Sequence, residues 1–587
     1  IRIQYIHRKA KQNITMQHIL FSWFDYILFI TMMGLSAIIG IYFGLFKKQN
    51  TTIDYLQGGK TMKVFPIAMS LAASTVSGVA LIGIPAEIYM FGTQYWMMVI
   101  SIILVGLAGN FIYLPVFYRL QVTSVFEYLE MRFDKKLRTA ASLIFTFMNI
   151  IALPAMMYAS SLAFNQVTGI NLHVTALFMF LLCIFYTTIG GVKAVVWADT
   201  LQFAVTLSTF FCLLIMGTIS VGGLSIIWER AKGGDRLHFF NMDFDPTARV
   251  TFWNVITGNF FMWSSIVTVN QGTVQRFLAV PTYKASQRTL IIFVVFTIIT
   301  KCISCFSGLI VYAKYYNCDP LTAGFIKKPD QIIPFYVMDT SKQLPGLGGL
   351  FVAGLCTTAL SSVSTFLNAV SGTIYRDFVE PFMPTTTSER KASNILKLIT
   401  LIVGLISTGL IFLVEKVGSI LRLAITACGI TAGPVLGVFT MGMLLPIVNR
   451  KGAISGLLGS VMFIVFVTVG NQIYIWNGAI KELLKPLNTR GCNFTQPIST
   501  VLVENITMFA QEEPFWLFRI SFYNYVPMGT ILTIIIGLTV SWFSESKFDP
   551  PCNPDLLSPW IHRFLPKSSF AASYDLAEEE KLNINPK

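Results

Sequence analysis

Runs of roughly twenty consecutive apolar residues, repeated about thirteen times, dominate this chain. A bilayer core about 30 Å thick takes about 20 such residues per helix. Backbone crossing lipid must satisfy every amide internally, which leaves only helices and closed barrels. The runs lie near 22–46, 63–91, 94–118, 138–163, 172–190, 198–220, 251–270, 289–313, 346–373, 393–414, 418–445, 453–474 and 521–543, and are numbered here as spans one to thirteen. They are continuously apolar and lack the alternation of barrel strands. The expected fold class is all-α and polytopic.

The runs leave little for a water-exposed surface. Charged residues make up 12% of the 587, about half the ~25% usual in soluble domains. That excludes an ordinary cytosolic enzyme, a secreted disulfide scaffold and a disordered chain. The net charge is +14, from 43 Lys and Arg against 29 Asp and Glu. In a membrane protein such an excess sits in cytoplasmic loops, so no nucleic-acid partner is expected. Nine cysteines are present, and the one CxxC pair, Cys302 to Cys305, lies inside an apolar run. Metal or redox chemistry is not expected there. Cys318 and Cys492 lie in polar loops and are either a disulfide or two free thiols. The first run is too long for a cleavable signal peptide.

Orientation follows from the basic residues. The loops at 47–62, 119–137, 191–197, 271–288, 374–392 and 446–452 are short and basic, and are assigned to the cytoplasm. The alternate loops are nearly uncharged or long, as at 221–250, 314–345 and 475–520. This puts the N-terminus outside and the C-terminus inside, with Arg8, Lys9 and Lys11 opposing it for the first segment. Glycosylation sequons at Asn493 and Asn505 fall in the outer loop 475–520. Four regions are expected. They are 1–62 (outer terminus, first helix and inner loop), 63–445 (a ten-helix core), 446–543 (two further helices) and a loosely ordered cytoplasmic tail, 544–587.

Function in a polytopic chain gathers where helices break or carry polar groups at mid-depth. Span two holds Ser70, Ser74, Thr75, Ser77 and Gly78, followed by Gly83 and Pro85. Such small and hydroxyl residues either unwind a helix, freeing carbonyls for a cation, or pack helices closely. Span nine carries Thr358, Ser361 and Ser362 at i, i+3 and i+4, on one face. Three hydroxyl oxygens suit Na+ if a neighbouring helix adds carbonyls; otherwise they form a packing seam. Span seven ends in Asn270-Gln271-Gly272, a second candidate break. Two breaks five spans apart are what an inverted five-helix repeat predicts.

Four charges sit in or at the edge of spans. Asp25 is expected at the interface. Asp199 opens span six, where a carboxylate also favours a helix N-terminus. Lys301 lies mid-span, where insertion costs ~2.5–3.5 kcal/mol. It is expected to face the interior and to pair with a substrate carboxylate or an internal acid. Arg422, early in span eleven, is expected to snorkel or to meet a carboxylate.

These residues also carry a resemblance. The motifs are Asp54-Tyr55-Leu56-Gln57-Gly58-Gly59, Gly83-Ile84-Pro85-Ala86-Glu87, Thr123 to Phe133 and Tyr186 to Ala194. Further ones are Asp199-Thr200-Leu201-Gln202, Gln275-Arg276, Cys318-Asp319-Pro320-Leu321, Gly346 to Phe351, Gly433-Pro434 and Asn449 to Ala453. In this order and spacing the chain resembles the sodium/solute symporter family. Within it, the similarity is to animal sodium-coupled monocarboxylate and multivitamin carriers, over about 22–545.

The resemblance implies thirteen helices, with spans two to eleven forming a five-plus-five inverted-repeat (LeuT-like) core. It implies a Na+ site between the broken span two and span nine. The carbonyls of Ala73 and Val76 would serve it, with the hydroxyls of Thr358, Ser361 and Ser362. Asp199 matches a family acid near the inner ion exit. The substrate cavity would lie beside the break, near Ser74, Thr75, Ser77, Asn270 and Gln271, with Lys301 and Arg422 as partners for a carboxylate. Three departures narrow the substrate. Val79-Ala80-Leu81 follows Gly78 where iodide carriers would hold a polar group. Lys301 does not fall at the sugar carriers' lysine. Arg422 stands where a neutral residue is expected.

The expected function is secondary active transport, with Na+ as coupling ion, no other cofactor, and a small organic anion as substrate. Alternatives are another solute such as iodide or choline, or a non-transporting sensor or channel on the same scaffold. No catalytic residue set appears in any cytoplasmic stretch, so no enzyme is expected.

Overall fold

The structure, a computed structural model, describes residues 22–46, 51–341, 346–384, 386–414, 420–477, 479–480, 484–492, 514–544 and 553–565. Among the described residues the secondary structure is helical throughout. The principal helices are α1 (Trp23–Ile41), α2 (Val64–Thr75), α3 (Ile84–Phe91), α4 (Met98–Ala108), α5 (Glu127–Arg132), α6 (Lys135–Thr168), α7 (Leu172–Val221) and α8 (Phe252–Ser264). They continue as α9 (Gln271–Phe277), α10 (Tyr283–Lys314), α11 (Ile332–Ser341), α12 (Leu347–Thr373), α13 (Glu389–Val414), α14 (Ile420–Leu444), α15 (Arg450–Trp476) and α16 (Tyr525–Phe543).

Among the described residues, nine helices are long and apolar enough to cross a membrane, and one bent pair adds a broken span. Every expected run falls on helix. The chain is a multi-pass membrane protein. Its outer residues face lipid: Leu405 on α13 is 50% exposed, and Trp542 and Phe543 at the end of α16 are 78% and 82% exposed. Side-chain caps fix several helix starts. Asp134, Asn171, Thr251, Thr282 and Asn449 each accept a backbone amide of the first turn, which satisfies donors that lipid cannot.

Two expected loops are different in the structure. The loop at 191–197 is helix: α7 runs from Leu172 to Val221 with a single non-helical residue, Gly191 (φ 52, ψ −155). Fifty residues at 1.5 Å each are about 75 Å, more than twice a ~30 Å core. Gly191 therefore divides spans five and six, at a positive φ that favours glycine. Asp199 lies two turns into the second part and is not a helix cap. The loop at 271–288 begins as α9, all seven residues of which are buried. Asp25, in the first turn of α1, is 7% exposed, and it accepts from Gly349 N at 2.7 Å and from Ser22 N at 2.9 Å. It joins α1 to the amide-rich start of α12.

α12 runs through the middle. Of its most apolar window, 89% is buried, against 22–50% for the other unbent spans. A helix enclosed on all sides can carry polar groups only toward protein, and α12 carries Thr358, Ser361, Ser362, Thr365 and Asn368.

α15 and α16 pack on α14 through glycines. A Cβ on Gly433 would meet Val526 O at 2.6 Å, and one on Gly456 would meet Thr533 O at 2.6 Å, so the backbones touch as small residues permit. At one end of the bundle, Arg376 pairs with Glu127 at 2.6 Å, and Arg132 donates to Gly442 O and Leu445 O at the end of α14. Residues 553–565 pack there too. Ser558 N donates to Met443 O at 2.9 Å, and Arg119 pairs with Asp555 at 3.0 Å. At the opposite end Cys318 and Cys492 form a disulfide, which resolves their open state. Around it, Arg236 is fully buried and donates to Tyr89 O and Pro486 O. Lys485 pairs with Asp235 at 2.6 Å and holds that carboxyl below its ordinary range.

Candidate functional site

The site is built on two interrupted helices. α2 ends at Thr75. Val76 leaves the helix at φ −89, ψ 80, and the chain re-enters helix toward α3 with a 64° bend. The regular amide donor for Ala73 O would be Ser77 N, and Ser77 stands outside the helix. Helix ends leave such carbonyls free of intrahelical partners. The second interruption is at Asn270 (φ −74, ψ 130), between a π-helical turn, Ser265–Val269, and α9. Asn270 Oδ1 accepts Gly272 N at 2.9 Å and caps the half-helix α9. Both breaks therefore fall where the polar and small residues of spans two and seven stand.

α12 lies against both. Ser362 Oγ donates to Ser74 O at 3.1 Å. A Cβ on Gly78 would meet Leu355 Cδ1 at 3.5 Å, and one on Gly272 would meet Thr365 Cγ2 at 3.1 Å. The three-hydroxyl face is thus brought to the break in span two. Thr358 Oγ1 donates to Leu355 O at 2.7 Å. Ser361 Oγ is fully buried beside the Asp199 carboxylate, which interacts with it, and its hydroxyl oxygen keeps lone pairs to offer a hard cation. Thr75 Oγ1 donates back to Leu71 O and Ala72 O at 3.1 and 3.0 Å. Ser77 O accepts Ala80 N at 2.8 Å.

Beneath the break lies an ion pair. Arg276 Nη2 is 3.1 Å from Asp199 Oδ2, with exposures of 2% and 0%. Ser70 Oγ donates to the same oxygen at 2.8 Å. Arg276 Nη1 donates to Ser70 O at 3.0 Å and Ser74 Oγ at 3.2 Å, and Nη2 reaches Thr365 Oγ1. One guanidinium thus ties α9 to α2, α7 and α12. The sequence motif contained Arg276, but a span boundary drawn at 270 placed it in a loop. The signal available was the run of small and apolar residues after the break.

The remaining residues separate. Gln271 turns from the break: its Oε1 accepts Val125 N at 2.7 Å and its Nε2 donates to Thr123 O at 2.9 Å. Lys301 is buried mid-way along α10 beside Trp263. Arg422 falls on α14, and its side chain lies outside the described residues, as do Asn493 and Asn505. Among the described residues no cluster of His, Cys, Asp or Glu suits a transition metal.

Comparison with known proteins gives a consistent set. Residues 55–459 match the model of the Sodium:solute symporter family. Sodium-coupled monocarboxylate transporter 1 of Xenopus laevis is 36% identical, over 89% of this chain and 86% of that protein. Sodium-coupled monocarboxylate transporter 2 of Mus musculus is 35% identical, over 93% and 87%. A solved Na+-coupled sialic acid symporter, in a substrate-bound outward-open state, superposes with a TM-score of 0.71 at 23% identity. It covers 90% of this chain and 99% of that one.

Proposed function

We propose, from the premise that the chain belongs to the sodium:solute symporter family, that it couples Na+ entry to uptake of a small organic anion. The single observation that carries this is the Ser362–Ser74 bond at 3.1 Å. It holds a hydroxyl face of α12 against the unwound end of α2. In this reading Na+ is held by the carbonyls of Ala73 and Val76 and by Thr358, Ser361 and Ser362. The set is all oxygen, as a hard cation requires, and carries no formal charge.

Alternating access follows from the same parts. Na+ joins α12 to α2 across the break and orders the segment from Ser74 to Ser77, beside which the substrate binds. Substrate and ion then raise each other's affinity by the same factor. Each Na+ crossing a 100 mV potential releases about 2.3 kcal/mol, and the concentration gradient adds to it. Asp199 lies on the inward route of the ion, with its charge balanced by Arg276 until the inner half-helices part.

The protein resides in the plasma membrane, with the N-terminus outside, the C-terminus inside, and glycans on Asn493 and Asn505. The test is uptake of labelled monocarboxylates, iodide, choline and glucose into oocytes or vesicles with and without Na+. Monocarboxylate uptake that requires Na+ is expected. Uptake indifferent to Na+ replacement, or Na+ current with no solute accumulation, would overturn the reading.

A further inference from the structure

Lys301 is 5% exposed and has neither a hydrogen bond nor an ion pair among the described residues. It faces an aromatic ring: Nζ lies 5.1 Å from the ring centroid of Trp263 on α8. The buried charges nearest the break, Arg276 and Asp199, neutralise each other. The positive charge of Lys301 is not cancelled by that pair.

Its depth can be read along α10. Ser304 donates to Ala80 O, and a Cβ on Gly308 would meet Pro85 O and Ile88 Cβ at 2.7 Å. These contacts rise together, so this face of α10 follows α3 outward. Lys301 precedes Ser304 by three residues and Gly308 by seven, which places it on the same face. Three residues are about 4.5 Å of rise. Lys301 therefore stands about one turn before the Ser304–Ala80 contact, at the level where span two leaves the helix at Val76.

We propose that Lys301, roofed by Trp263, receives the carboxylate of the transported anion at the break; this rests on the Na+-coupled reading above. An ammonium in a low-dielectric site gains most from a full negative charge. The anion would then sit between Lys301 and the uncharged oxygen cage of Na+, so each cation favours its binding. That is a direct physical route to coupling. Trp263 holds the ammonium by its ring face and offers a flat apolar surface to the organic body. A neutral analogue of the same shape leaves the ammonium without a counter-charge, so the pocket selects acids over amides.

The test compares acids with their primary amides. Labelled butyrate, lactate and nicotinate are offered in NaCl, with butyramide, lactamide and nicotinamide as competitors, to cells expressing the full chain. For the wild type, each transported acid is expected to compete at a concentration at least ten times lower than its amide. Lys301→Met is expected to reach the surface and to compress that ratio below about threefold. Lys301→Arg is expected to retain most of it. If Lys301→Met is not delivered to the surface, the same ratio is read from thermal stabilisation of purified Lys301→Gln in Na+. An unchanged acid-to-amide ratio in the neutral variant, with uptake still Na+-dependent, overturns this proposal and leaves the symport reading standing. Absence of Na+-dependent uptake of every acid in the wild type overturns both.

Discussion

Arg276 and Asp199 form a fully buried ion pair of 3.1 Å in the middle of the protein. The pair joins the half-helix α9 to the helix after Gly191, and through Ser70 and Ser74 it braces the other broken helix. Removing one partner leaves a lone buried charge, a loss of about 3–5 kcal/mol. Asp199→Asn and Arg276→Met are each expected to lower the unfolding temperature of the purified protein. The double variant is expected to recover part of that loss, because no lone charge remains. Additive losses in the double variant would contradict the pairing.

The hydroxyl face of α12 makes a second prediction. Ser362→Ala removes the donor to Ser74 O, and Ser361→Ala removes a fully buried hydroxyl oxygen beside Asp199. Together they are expected to raise the Na+ concentration for half-maximal uptake by roughly ten- to a hundredfold, as loss of one or two ligand oxygens at about 1.5–3 kcal/mol would give. Substrate affinity measured at saturating Na+ should change far less. A Na+ curve unchanged in the double alanine variant removes these residues from the ion site.

Much of this was legible in the sequence, because lipid enforces a simple rule. Continuous apolar runs marked the helices, small and hydroxyl residues marked a candidate break in span two, and Asn270-Gln271-Gly272 marked one in span seven; the chain leaves the helix at Val76 and Asn270. What composition concealed were places where one residue does the work of a loop. Gly191 alone divides α7, so the short stretch after it, with its single charge at Lys193, read as a connection. Arg276 read as a loop charge because hydropathy places every arginine outside the membrane. The structure instead buries it with an acid distant in sequence, and a local window cannot see that neutralisation. Gln271 was misleading for a similar reason: its polarity serves the backbone at Thr123 and Val125 rather than a cavity.

The disulfide gives a third prediction. Non-reducing peptide mapping is expected to recover Cys318 and Cys492 in one linked fragment. Cys183, Cys305 and Cys356 are buried free thiols, expected to take up maleimide only after unfolding. A linked fragment containing any of those three, or free Cys318, would contradict this arrangement.

Topology gives a fourth. The membrane orientation inferred from Lys and Arg puts Asn493 and Asn505 outside. Asn493→Gln and Asn505→Gln are each expected to remove a glycan, visible as a step down in apparent mass, with glycosidase treatment collapsing wild type and variants to one band. Protection of both sites from glycosylation in animal cells would reverse the orientation.

The central claim is that solute movement is driven by Na+. The most direct measurement is accumulation of a labelled monocarboxylate in vesicles containing the purified protein. An inward Na+ gradient is imposed, then abolished by a Na+ ionophore, at fixed membrane potential. The account predicts transient accumulation above equilibrium that requires the gradient and vanishes with the ionophore. Equal uptake with and without the gradient, or Na+ flux with no accumulation, would contradict it.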